Sequence, residues 1–130
     1  MRQKIAIVDD DPSVRRSLKR VVEAAGFPAQ AYGSGEELLN DGLDEVACAI
    51  LDINLGGMSG IETRRRLSSK HPDISVIFIT AMDSADIRKL ASDLGCAAFL
   101  IKPIHGNVLV DTVRDAVRGC VSHHSFSPTC

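Results

Sequence analysis

Asp9 and Asp10 follow the apolar run IAIV, Asp52 follows CAIL, Thr80 follows VIFI and Lys102 follows FLI. Three carboxylates, a hydroxyl and an ammonium thus stand just past water-excluding segments dispersed along the chain. Taken singly each has a plain role: an aspartate after a strand caps a helix or makes a turn, a threonine belongs to the sheet, and a lysine is solvated. Together they need a counter-charge, because two unit charges about 4 Å apart repel by roughly 4 kcal/mol at an effective dielectric of about 20. Hard oxygen donors with room for water suit Mg²⁺ or Mn²⁺. A carboxylate beside such a cation, with a hydroxyl and an ammonium near, has what acceptance of a phosphoryl group requires: cationic groups neutralise charge on the phosphoryl oxygens, and positioning supplies most of the rest. Asp52 is then the nucleophile, facing the Asp9–Asp10 pair.

Convergence of these residues depends on the elements that carry them. Short apolar runs at 5–8, 28–32, 46–51, 74–79 and 98–101 are bounded by charges, Gly or Pro and predict five strands. Between them lie helical stripes. Val14, Leu18, Val21, Val22 and Ala25 share one face, with Pro12 suited to the first turn and Gly26 to the end. GSGEELLNDG predicts a short second helix and SGIETRRRLSSKHP a third that stops before Pro72. Ile87, Leu90, Ala91 and Leu94 give a fourth that ends at Gly95, and Leu109, Val113 and Ala116 a fifth. Strands alternating with helices predict an α/β fold with an open parallel sheet covered on both faces, whose working site lies beyond the carboxyl ends of the strands. The chemistry-bearing residues all fall there.

The bulk properties exclude several alternatives. A chain of 130 residues is one domain in size, and 45% apolar residues, 25% charged residues and a net charge of -2 are ordinary for a globular protein rather than for a nucleic-acid binder. No apolar run approaches the 18 or so residues that span a bilayer, and Met1-Arg2-Gln3-Lys4 leads into a stretch too short for a secretory signal, so a cytoplasmic location is expected. Cys48 lies within an apolar run and reads as a reduced core residue; the irregular spacing of the four cysteines argues against a disulfide framework. Cys120, His123, His124 and Cys130 match no paired zinc spacing. Arg64-Arg65-Arg66 spans most of a helical turn without interleaved aromatics and reads as a solvated face.

IVDDDPSVRRSL, AILDINLGGMSGIETRRRL, VIFITA and AAFLIKP together resemble the receiver domain of bacterial two-component response regulators, the CheY-like superfamily, over about residues 3–120. The resemblance implies a doubly wound, flavodoxin-like fold with strand order 2-1-3-4-5 and five helices on both faces. It implies a phosphoprotein switch rather than an enzyme acting on an external substrate. Asp52 is then the phosphoacceptor, served by a sensor histidine kinase or a histidine phosphotransfer protein. Asp9, Asp10, Asp52 and the backbone carbonyl of Asn54 hold Mg²⁺, with Mn²⁺ possible. Thr80 and Lys102 contact the phosphoryl group, Pro103 follows a cis peptide, and Phe99 is the switch aromatic that turns inward as Thr80 moves. Asn54 and Met82 flank the path of hydrolytic water and tune the lifetime, apolar Met82 by shielding.

The same resemblance implies a changing face made by helix four, strand five and helix five, through which a downstream protein or a second copy binds; Val108, Val110 and Val117 either belong to it or widen the core stripe. Neither direct nucleic-acid nor membrane contact is expected. One departure is Gly56, where the family usually has proline, which predicts a more flexible loop. The expected organisation is a receiver domain over 1–121 and a flexible tail over 122–130, acting alone if the chain is whole or as the regulatory domain of a larger DNA-binding regulator if it is not. Two other readings are a docking module that takes no phosphate and a phosphohydrolase of the haloacid dehalogenase type. The latter places a second acid two residues after the nucleophile, where DIN has Asn54.

Overall fold

A computed structural model describes residues 3–118. Five strands, β1 (Lys4–Val8), β2 (Ala29–Tyr32), β3 (Val46–Asp52), β4 (Ser75–Thr80) and β5 (Ala98–Ile101), alternate with α1 (Pro12–Ala24), α2 (Gly35–Leu39), α3 (Gly60–Lys70), α4 (Ala85–Leu94) and α5 (Gly106–Val117). The strands form one parallel sheet in the order β2-β1-β3-β4-β5. The fold class and strand order are those read from the sequence. The expected tail, and Cys120, His123, His124 and Cys130, lie outside the described residues.

Successive strand side chains point to opposite faces of the sheet. Ile5, Ile7, Ile50, Ile77, Ile79 and Leu100 pack with Leu18 and Val22 of α1 and with Leu109 and Val113 of α5. Ala6, Val8, Leu51, Phe78 and Phe99 pack on the other face with Leu38 of α2, Leu67 of α3 and Ala91 of α4. Complete burial of each large apolar side chain contributes about 1.5–3 kcal/mol, so both faces are needed to hold the sheet. This double burial explains runs such as VIFI, which lack polar alternation.

Helix starts are set by side chains that accept the first free N–H groups. Asp11 accepts from Ser13 and Val14 at α1, Ser34 from Glu37 at α2, Ser59 from Glu62 at α3 and Ser84 from Ile87 at α4. Each such cap contributes about 1 kcal/mol. α1 and α4 are followed by Gly26 and Gly95, whose positive φ angles of 98° and 79° turn the chain back toward the sheet.

Several expectations are corrected. Leu90 is not part of a buried stripe: among the described residues it and Met82 are the exposed large apolar ones, and Ala91 is the fully buried residue of α4. Of the three valines of α5 that the sequence leaves between core and flank, Val108 and Val117 pack on the core and so widen the stripe, whereas Val110 lines a groove between α1 and α5. Arg64 is not solvated: it donates to the carbonyls of Gly95 and Leu94 at 3.1 and 3.5 Å, tying α3 to the end of α4, while Arg65 and Arg66 pair with Glu62. Cys48 is a buried free thiol, as expected, whose burial pushes its pKa up to about 12, whereas Cys96, against expectation, is disulfide-bonded. No helix among the described residues is long and apolar enough to cross a membrane.

Candidate functional site

Parallel pairing brings the carboxyl ends of β1, β3, β4 and β5 to one edge, and with them Asp9, Asp52, Thr80 and Lys102. Asp9 is fully buried and Asp52 is 4% exposed. Lys102 Nζ donates at 2.8 Å to both Asp9 Oδ2 and Asp52 Oδ2, joining residues far apart in sequence. Asp10 is exposed, and one oxygen from each of Asp9, Asp10 and Asp52 lies within 4.8 Å of the others. Three carboxylates against one ammonium leave negative charge uncompensated, and an all-oxygen donor set with one solvent-facing member fits a hard divalent cation.

Burial, the largest influence, raises the pKa of Asp52, as does the Asp9 charge; hydrogen bonds from Lys102 and the Asn54 amide oppose the rise. Burial pulls Lys102 down, but its bonds to Asp52 and Asp9 outweigh that and raise it. Mutual contact therefore favours the ammonium of Lys102, while at Asp52 it only partly offsets the effect of burial.

Asn54 bonds to both Asp52 and Thr80. Its amide N–H donates to Asp52 Oδ1 at 3.0 Å, and its Nδ2 donates to Thr80 Oγ1 at 3.1 Å. The Met82 amide also donates to Thr80 Oγ1, at 3.1 Å, although the Met82 side chain itself is 65% exposed. Thr80 Oγ1 thus accepts twice while its O–H proton stays available among the described residues. The Lys102–Pro103 peptide is cis.

Phe99 is not at the acid cluster. It pairs in register with Phe78 of β4 and is already fully buried, so the inward turn expected of it starts from a ring that is inside. The Arg88 guanidinium lies 5.3 Å from the ring centroid and is forked onto Asp83.

Other supports of the site are less visible in sequence. Only two of the three consecutive aspartates join the acid cluster, since Asp11 caps α1 and donates its own amide to Asp9 Oδ1 at 2.9 Å. Asp followed by Pro at the first helical position is the signal for that role. Arg15 Nη1 donates to the Asp9 carbonyl at 2.8 Å. Gly60 lets α3 approach so closely that a Cβ there would overlap the Asp52 carbonyl oxygen. The Gly56 amide donates to Asp10 Oδ2 at 3.1 Å.

Residues 5–114 match the family model of the response regulator receiver domain. Nodulation protein W of Bradyrhizobium diazoefficiens is 34% identical over 110 residues, which cover 84% of this chain and 48% of that protein. Transcriptional activator protein ExaE of Pseudomonas putida is 34% identical over 118 residues, covering 88% of this chain and 55% of that one. The chain therefore spans about half the length of these curated relatives. Among solved structures, the BeF3-activated DrrB receiver domain superposes with a TM-score of 0.82 at 26% identity, covering 91% of this chain and 99% of that one. The sheet order, the acid cluster with its bridging lysine and the family match lead to one assignment: the chain belongs to the response regulator receiver domain family.

Proposed function

We propose that this chain is a phosphorylation-controlled signalling switch that accepts a phosphoryl group on Asp52 from a histidine kinase or a histidine phosphotransfer protein. The observation that carries this reading is the Lys102 ammonium held 2.8 Å from both Asp9 and Asp52, on the same sheet edge as the available Thr80 hydroxyl. An Asp52 oxygen forms the new bond to phosphorus as the donor's P–N bond breaks. The electron pair returns to the donor imidazole, which takes up a proton. Lys102 neutralises charge on the phosphoryl oxygens, and Thr80 donates its free proton to one of them. Asp9, Asp10, Asp52 and the Asn54 carbonyl are the groups that would hold Mg²⁺, or Mn²⁺ in its place, which supplies further charge neutralisation when bound.

The phosphoryl group of the product carries roughly 1.5 to 2 negative charges close to Thr80, in place of the single charge of the Asp52 carboxylate. Asn54 and Met82, both bonded to Thr80, lie where that charge is felt first. The loop after Thr80 continues through Asp83 to Arg88 and the covered Phe99, so a pull on Thr80 reaches α4 and β5. This supports a change of the face built from α4, β5 and α5, through which a downstream protein or a second copy binds, with exposed Leu90 on that face. Moving the equilibrium from 1:99 to 99:1 takes about 5.5 kcal/mol of differential stabilisation.

The test is incubation with acetyl phosphate and Mg²⁺, reading intact mass for wild type and Asp52→Asn. One phosphoryl group gained by wild type, lost on chelation and absent from the variant, is the expected result. No gain with either metal would overturn the reading.

A further inference from the structure

Glycine at position 56 was expected to loosen the loop after Asp52, yet the structure gives its backbone a specific bond. The Gly56 N–H donates to Asp10 Oδ2 at 3.1 Å, across a separation of 46 residues. Gly57 rather than Gly56 is the loop residue with positive φ, at 75°, so the turn itself does not demand glycine at 56. A Cβ built at 56 would meet only Asp10 Oδ2, at 3.7 Å, which is ordinary contact. What position 56 contributes is therefore an N–H, the one group that proline lacks.

Asp10 is the exposed member of the acid cluster, and an exposed carboxylate otherwise spreads over several rotamers. We propose that the Gly56 amide is a positioning group that holds the Asp10 carboxylate in the geometry a divalent cation needs. It also makes the 53–59 loop part of the cation site. The proposal rests on the reading of Asp9, Asp10 and Asp52 as that site. A carboxylate has about four acceptor positions, so one N–H leaves Asp10 free to ligate. The cost of fixing its rotamer is met before the ion arrives, and removing such preorganisation weakens binding by about three- to tenfold.

The experiment is calorimetric titration of MgCl₂ into wild type, Gly56→Ala and Gly56→Pro, with the Gly56 amide followed by NMR hydrogen exchange in metal-free wild type and Asp10→Ala. Gly56→Ala keeps the N–H and is expected to bind within about twofold of wild type, whereas Gly56→Pro is weaker by about three- to tenfold. In metal-free wild type the amide is slow to exchange, and it loses that protection in Asp10→Ala. Equal affinity in Gly56→Pro and wild type overturns the proposal. An unprotected amide in wild type does so too, independently of how the proline variant folds. If wild type takes up no Mg²⁺ at all, the cation site itself fails, a result distinct from either of these.

Discussion

Replacing Gly60 by alanine probes the junction between β3, which ends in Asp52, and α3. A Cβ at this position would overlap the Asp52 carbonyl oxygen and stand 2.9 Å from both Asp52 C and Ile53 Cα. All three are backbone atoms, so no side-chain rotation relieves the overlap. Helix propensity alone would favour alanine by at most about 0.5–1 kcal/mol, the cost of an interior glycine, since Gly60 is the first residue of α3. Overpacking costs about 1–3 kcal/mol, and against unyielding backbone the upper part of that range applies. The net expectation is a loss of about 1–2 kcal/mol, which at an m-value of about 1.5 kcal/mol/M lowers the urea midpoint by roughly 1 M without changing the slope. Because relief requires the end of β3 and α3 to part, Asp52 shifts too. A misplacement of about 1 Å can cost up to about 100-fold in rate, so phosphorylation by acetyl phosphate should slow by about 10- to 100-fold. Gly42→Ala, where nothing lies within 4 Å, is the control and should be neutral or slightly stabilising. A Gly60→Ala protein as stable as wild type and phosphorylated at the wild-type rate would refute the reasoning.

Lys102→Met leaves Asp9 and Asp52 facing each other without their shared cation and should cost about 2–3 kcal/mol in chelator, less than for a fully buried pair because the ammonium is 20% exposed. Adding Asp52→Asn should recover part of that loss in a double-mutant cycle of thermal unfolding. Tyr32 is the chain's single tyrosine, and tryptophan is absent, so phenolate absorbance reports on it alone. Burial first, and then its 2.5 Å hydrogen bond to Asp41, raise its pKa. The stability this contributes is complete below the unfolded value of about 10 and is lost as pH rises, so phenolate should appear only with alkaline unfolding; half-ionisation near pH 10 in the folded protein would contradict this. Arg64→Met should speed hydrogen exchange in residues 85–95 and lower global stability by about 0.5–1.5 kcal/mol; unchanged exchange there would show that the bonds to Gly95 and Leu94 do not hold α4. Met82→Glu should hasten loss of phosphate from Asp52 by up to about tenfold, short of the full effect of a positioned base because the side chain is largely exposed; an unchanged rate would dismiss Met82 as a tuning residue.

What could be read from sequence was local in origin. Strand runs, helix stripes and their punctuation by Pro12, Gly26 and Gly95 are written within a few residues, and strand-end chemistry follows once the sheet is parallel. Asp9, Asp52 and Lys102 meet for that reason. What could not be read depends on packing between distant segments. Arg64 has the same charge and neighbours as Arg65, and only the approach of α3 to α4 separates a half-buried clamp from a surface ion pair. Val108 and Val117 look like flank residues until α5 settles on the sheet. Leu90 fits a helical stripe whose period is right, yet Ile87, Ala91 and Leu94 take the core-facing places and Leu90 is left exposed. Gly56 suggests flexibility through its residue type, and only the approach of its loop to the end of β1 gives its N–H the Asp10 carboxylate as partner.

The slender hold of α4 has a consequence for how this surface can diversify. α5 commits Leu109, Thr112, Val113 and Ala116 to the interior, so most changes along it carry a folding penalty. α4 fully buries Ala91 and rests Ile87 and Leu94 partly buried on the core, with further ties from Arg64 of α3 and from Arg88 over Phe99. Outward positions such as Lys89, Leu90 and Asp93 can be rewritten at a cost within about 0.5 kcal/mol, the range of surface substitutions. Mutational drift can therefore explore new recognition chemistry on this helix while the acid cluster and the sheet beneath it stay as they are.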